Sequence, residues 1–115
     1  MPKPEDTVRM RHMLDAARKA TEFARTCQRA DLDKDEKLAL ALVRLLEVLG
    51  EAAKSVSDQC RQECPEIPWR QIAGTRDRLI HGYFDVDLDI IWKIVSVDLP
   101  SLVTHLENAL ANNEP

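Results

Sequence analysis

Glycine and aromatic residues are scarce in this chain, with three glycines, two phenylalanines, two tryptophans and one tyrosine among 115 residues. Ala, Leu, Glu, Arg and Lys are abundant instead, and these are the better helix formers, so the expected class is all-α. No run of about 18 apolar residues occurs, which weighs against a membrane span. The start Met1-Pro2-Lys3-Pro4-Glu5-Asp6 lacks the apolar core of a signal peptide. A cytoplasmic protein with no membrane partner is expected. Three cysteines, an odd number, fit reduced thiols in that compartment better than a disulfide framework.

Metal-ligating residues are also thin. Cys60 and Cys64 can share a helix face, but His12 and His105 lie far from them in sequence, and a zinc site needs about four ligands at recognisable spacing. Asp85-x-Asp87-x-Asp89 is like the start of a calcium loop, yet Ile90 stands where that loop needs glycine and Ser96 where it needs glutamate. Helix capping is the better reading of those aspartates. No metal and no cofactor are expected.

The length allows one domain, residues 1–115, with one core and no room for separate catalytic and binding modules. A site must then lie on the helical bundle or between copies. The net charge of -4 argues against a protein that coats nucleic acid, which is normally basic. Its distribution matters more: residues 68–83 carry three arginines against one aspartate, and residues 84–115 carry six acidic residues against one lysine. A local positive notch on an acidic body can still hold a phosphate backbone, in a salt-dependent way.

Apolar spacing divides the chain into four helices. The first is expected from Asp6 or Thr7 to Cys27, with Met13, Ala16, Ala20, Phe23 and Cys27 on one stripe, widened by Leu14, Ala17 and Ala24. Residues 29–35 read as a polar connection, with Asp33 or Asp35 available as N-cap. The second helix has Leu38, Leu42, Leu45, Leu49, Ala52 and Val56 in alternating steps of four and three, a bundle seam. Residues 59–67 break the pattern, and Ile67-Pro68 marks the restart of a short third helix to Ile80. Asp85 or Asp87 caps the fourth, whose seam is Leu88, Ile91, Val95, Leu99, Leu102 and Leu106, with a kink expected at Pro100. Ile90, Ile94 and Val97 lie off that seam and leave it apolar almost all round, which implies a partner surface, most simply a twofold dimer. Trp69 and Trp92 read as core anchors, and Glu47 and Glu51 as a solvated face partnered by Arg44 or Lys54.

Chemistry concentrates in Arg76-Asp77-Arg78-Leu79-Ile80-His81-Gly82-Tyr83. Arginine stays protonated and offers a planar fork of donors to phosphate oxygens, while histidine titrates near neutral pH and can take a proton from a ribose hydroxyl. Together they point to phosphodiester chemistry on RNA. On a straight helix Arg76 and His81 are about 140° apart, whereas Arg76 and Tyr83 fall within about 20°. A site using both Arg76 and His81 therefore needs the helix to end between them, or a second chain. Gly82 favours an end that leaves His81 in the last, unwinding turn, where orphan carbonyls support its protonated form. The plainer alternative makes His81 a helix cap and Arg76 a surface cation paired with Asp77 or Asp85.

The segment from Ile67 through Asp87 closely resembles the HepT-type toxins of the HEPN superfamily, whose signature is R-x-x-x-x-H-x-Y with a polar residue directly after the arginine, here Asp77. The run Arg44 to Ala52 also resembles that family's second helix. The resemblance implies a four-helix HEPN bundle of three long helices and one short motif-bearing helix, and an endoribonuclease that dimerises to bring two motifs together. It further implies the toxin of a type VII-like toxin-antitoxin system, neutralised by an MntA-type nucleotidyltransferase that attaches AMP to Tyr83. In that reading Arg76 and His81 are catalytic without a metal, Asp77 and Arg78 support the motif, and Arg70 is a further RNA contact. A non-catalytic nucleotide- or RNA-binding partner of a nucleotidyltransferase is the alternative, mildly favoured by the acidic charge.

Overall fold

Proline at a first helical position and acids in a first turn favour a helix start, and the chain uses both: Pro4, Glu5 and Asp6 open α1 (Pro4–Ala24). The computed structural model describes residues 3–81 and 85–113, with His81 described through its backbone. Met10, Met13, Leu14, Ala17, Ala20 and Ala24 form the buried stripe of α1. Phe23 was expected on it but is 46% exposed, because it sits at the stripe's edge in the last turn. Cys27 lies beyond the helix end and is half-buried.

The polar connection contains one helical turn, α2 (Asp31–Lys34), which buries Leu32. Of the two candidate caps, Asp35 serves α3 (Glu36–Lys54), its carboxylate accepting from the Leu38 amide at 3.1 Å. The seam of α3 is centred on Leu42, Leu46, Leu49 and Ala53, while the expected Leu38 and Leu45 are only partly buried. Gly50 lets the chain pass close by: a Cβ there would stand 3.1 Å from the Ile72 carbonyl oxygen.

Residues 59–67 are not a simple break. Ser57 caps a separate helix, α4 (Asp58–Glu63), by accepting from the Cys60 amide. Arg61 on α4 donates to the carbonyls of Ala53, Lys54 and Val56, which brings donors to the last carbonyls of α3 and the turn after it. The buried Asp6 carboxylate takes both the Ser57 amide (2.8 Å) and hydroxyl (2.6 Å), tying α1 to this corner. Trp69 is a core anchor, its indole donating to the Cys64 carbonyl at 3.0 Å; Trp92 is half-buried.

The expected single helix from Pro68 to Ile80 is two five-residue helices, α5 (Trp69–Ala73) and α6 (Thr75–Leu79), separated at Gly74, the residue type with the poorest helix propensity after proline. After α6 the backbone turns extended at Ile80, and β1 (Ile80–His81) pairs antiparallel with β2 (Asp85–Val86), His81 opposite Asp85. The expectation that His81 occupies an unwinding helical turn is corrected: it lies on a strand. Asp87, one of the two proposed caps, accepts from the Ile90 amide and starts α7 (Leu88–Lys93).

A π-helical turn, Ile94–Asp98, joins α7 to α8 (Leu99–Asn113) immediately before Pro100. Proline has no amide to offer the Ser96 carbonyl, and the ladder adjusts by a wider bond from the Leu99 amide to Ile94 oxygen. The last helical stretch is thus kinked where expected. The wider turn also brings Ile94 and Val95 to the core together, so Ile94, read as an outward residue, is 4% exposed. Of the apolar surplus only Val97 stands out, at 63%, with Ile90 half-buried. α1 packs mainly on α3 and α8, and α5 and α6 lie against α3. Among the described residues no helix is long and apolar enough to cross a membrane.

Candidate functional site

The motif begins on α6 and crosses its end. Arg76 is exposed, and its Nε lies 3.8 Å from Oε2 of Glu47 on α3. That separation is too long for a hydrogen bond but close enough for charge to act. The pair is asymmetric: the Glu47 side chain is 24% exposed and that of Arg76 is 65% exposed. The carboxylate therefore sits against the body of the protein while the guanidinium faces outward. Neither Asp77 nor Asp85 takes the role of partner suggested by the sequence; Asp77 is exposed and Asp85 belongs to β2.

α6 ends at Leu79, so the helix does stop between Arg76 and His81, as a site shared by the two requires. The cause is the extended backbone of Ile80 (φ -116°, ψ 121°), and the backbone amide of Asp87 closes this corner on the Leu79 carbonyl at 2.8 Å. The Tyr83 assignment lies outside the described residues, as does the His81 side chain.

The three arginines near the motif do not share one notch. Arg78, two residues from Arg76, is turned about 200° around α6. It lines a cleft of about 270 Å³ with Gln71, Thr75, Asp98 and His105 above an apolar floor that includes Ile72 and Leu102. Arg70 is exposed on α5. Arg76 alone of the three pairs with α3.

The carboxylates assigned to a solvated face divide. Glu51 pairs with Lys54 at 3.6 Å, as expected, whereas Glu47 takes Arg76 from a segment 29 residues away. No local spacing signals that contact. The three aspartates that suggested a calcium loop also part company, Asp87 capping α7 and Asp89 accepting from Arg29 at 2.7 Å.

Among the described residues no group of three or more His, Cys, Asp or Glu side chains is arranged to hold a metal. Cys60 and Cys64 are buried and unbridged, with Cys60 Sγ 3.6 Å from the Met10 sulfur. Burial, and then the neighbouring Asp6 carboxylate, push the Cys60 thiol up to about 11; burial and Glu66 raise Cys64. Neither is poised as a nucleophile.

This all-α chain, with its motif at the end of a short helix, belongs to the ribonuclease HepT-like family, whose model matches residues 13–109. It is 46% identical over 81 residues to a "Probable ribonuclease HepT" of Thermococcus cleftensis, covering 70% of this chain and 74% of the relative. It is also similar to two proteins with RNase names: "Putative RNase MJ1380" of Methanocaldococcus jannaschii (32% identical, 83% of this chain and 87% of the relative) and "Putative RNase TTE0752" of Caldanaerobacter subterraneus (36%, 88% and 90%). No solved structure matches.

Proposed function

We propose that this protein is an endoribonuclease that cuts RNA without a metal. The observation that carries the reading is the end of α6 at Leu79, which removes the angular separation a continuous helix would impose on Arg76 and His81. Arg76, outward and steadied by Glu47, holds the scissile phosphate and offsets the charge that builds on its oxygens. His81 takes the proton of the adjacent 2′-hydroxyl; the freed oxygen attacks phosphorus, and the bond to the 5′-oxygen breaks. That leaving oxygen takes a proton from His81 of a second copy facing the first across a twofold axis, and the product carries a 2′,3′-cyclic phosphate. The RNase names of the relatives support the substrate class.

In the same reading the chain is the toxin of a toxin-antitoxin pair, silenced when an MntA-type nucleotidyltransferase attaches AMP to Tyr83. AMP there adds a phosphodiester charge and a nucleoside next to the motif, where they occupy Arg76 as an uncleavable substrate would. Purified protein is expected to cut RNA in the presence of EDTA, and Arg76→Ala and His81→Ala to be folded and inactive. A nucleotidyltransferase with ATP is expected to raise the mass by whole AMP units and stop cleavage, with Tyr83→Phe unmodified and still active. Cleavage lost on chelation and restored by a divalent ion overturns the metal-free course, and wild-type cleavage by either motif variant overturns the assignment.

A further inference from the structure

Several arginines around α1, α2 and α4 have partners: Arg18 on α1 pairs with Glu107, Arg29 before α2 with Asp33 and Asp89, and Arg61 on α4 with the carbonyls ending α3. Arg9 and Arg44 differ. They face each other across a groove of about 250 Å³ between α1 and α3, lined also by His12, Val48, Glu51 and Ser55. Both are exposed, and neither has an ion-pair partner among the described residues. The groove's acid, Glu51, is engaged by Lys54 at 3.6 Å. Two guanidinium groups thus stand without an ion-pair partner among the described residues, beside the His12 side chain, on a chain whose net charge is -4.

Place as well as charge singles the groove out. Arg44 precedes Glu47 by three residues, so the two are about 60° apart around α3 and about 4.5 Å apart along it. Glu47 is the residue that meets Arg76. The cationic groove and the reactive arginine therefore occupy adjoining flanks of one helix, and a strand lying over Arg76 can continue onto Arg44, His12 and Arg9.

We propose that this groove is a second contact for the RNA backbone, holding phosphates that flank the bond presented at Arg76. The proposal rests on the ribonuclease reading above. Guanidinium forks match phosphate oxygens bidentately, and the Ser55 hydroxyl, which donates to the Glu51 carbonyl at 3.2 Å, can accept from a ribose hydroxyl. Such contacts position the strand and carry no base information, so binding here is tolerant of sequence and falls with salt.

The test is binding of a long 2′-O-methyl RNA, which cannot be cleaved, to the full chain and to Arg9→Ala/Arg44→Ala across a salt series, alongside cleavage of a long RNA and of a dinucleotide too short to reach the groove. The double variant is expected to bind roughly tenfold more weakly at low salt, with a log-log salt slope shallower by about 1.4, since each phosphate neutralised on a single strand contributes about 0.7. Its KM on long RNA should rise while dinucleotide cleavage stays at the wild-type rate. Both substituted residues are exposed, and an unchanged circular dichroism spectrum and melting temperature separate lost contacts from lost fold. Wild-type affinity and slope in the double variant overturn the proposal. So does loss of ATP binding with RNA binding intact, which makes the groove a nucleotide pocket. If the wild type binds RNA through the groove but cuts neither substrate, the groove stands and the ribonuclease reading falls; if it binds no RNA, both fall.

Discussion

Glu47 on α3 and Arg76 on α6 approach to 3.8 Å across 29 residues of chain, the carboxylate against the body of the protein and the guanidinium in the open. An ion pair with one exposed partner contributes little to stability, about 0–1 kcal/mol. Its effect on position is larger, because a misplacement of about 1 Å at a reacting group can lower a rate about 100-fold. Glu47→Ala is therefore expected to melt within a few degrees of wild type and to cut RNA about 10- to 100-fold more slowly, with Glu47→Asp intermediate. Full activity in Glu47→Ala would show that Arg76 needs no anchor.

Asp6 is the acid-sensitive point of the fold. Burial by itself would raise its carboxyl, but the Ser57 hydroxyl and amide, with further help from Lys3, outweigh this and hold it below its ordinary value of 3.8. A carboxyl depressed in the folded state contributes its stability above the unfolded value and loses it as pH falls through the folded one. The melting temperature of the wild type should thus drop below about pH 4, and the drop should be smaller in Asp6→Asn. At pH 7 that variant is expected to be less stable by about 1.5–3 kcal/mol, the worth of hydrogen bonds to a charged group. Parallel acid limbs in the two proteins would contradict the assignment.

Ile94 and Val97 separate the core from the surface of the last helical stretch. Ile94 is 4% exposed, so Ile94→Ala should cost about 2–4 kcal/mol by emptying core volume. Val97 is 63% exposed and should accept glutamate without loss of stability. If the association of two copies that the proposed mechanism requires uses this surface, Val97→Glu sediments as a smaller species than the wild type. A Val97→Glu protein that remains dimeric moves the interface elsewhere.

Periodicity made the long helices and their caps legible. Steps of four and three located α3 and the stretch that runs from α7 to α8, and the sequence narrowed each cap to two aspartates, of which Asp35 and Asp87 serve. The features that escaped depend on partners distant in sequence or on backbone adjustment. Arg61 gives α4 a reason to exist by closing the end of α3, which no window around residues 59–67 contains. The π turn before Pro100 rotates Ile94 inward, where a regular helix would leave it out. The site was legible as a motif but not as an arrangement: Arg76 and His81 could be named from their chemistry, whereas Glu47, the groove residues Arg9 and Arg44, and the strand at His81 follow from how α1, α3 and α6 meet.

In the proposed mechanism, transfer of the 2′-hydroxyl proton to His81 leaves a chemical signature on the RNA, so the end group of the product tests the central claim most directly. Wild-type protein incubated with a uniformly labelled RNA in EDTA should yield fragments ending in a 2′,3′-cyclic phosphate, identified by mass, with none from His81→Ala or from a substrate methylated at the 2′-oxygen. Fragments from the wild type that carry a 3′-hydroxyl and 5′-phosphate, or equal yields of cyclic ends from folded His81→Ala, would contradict it.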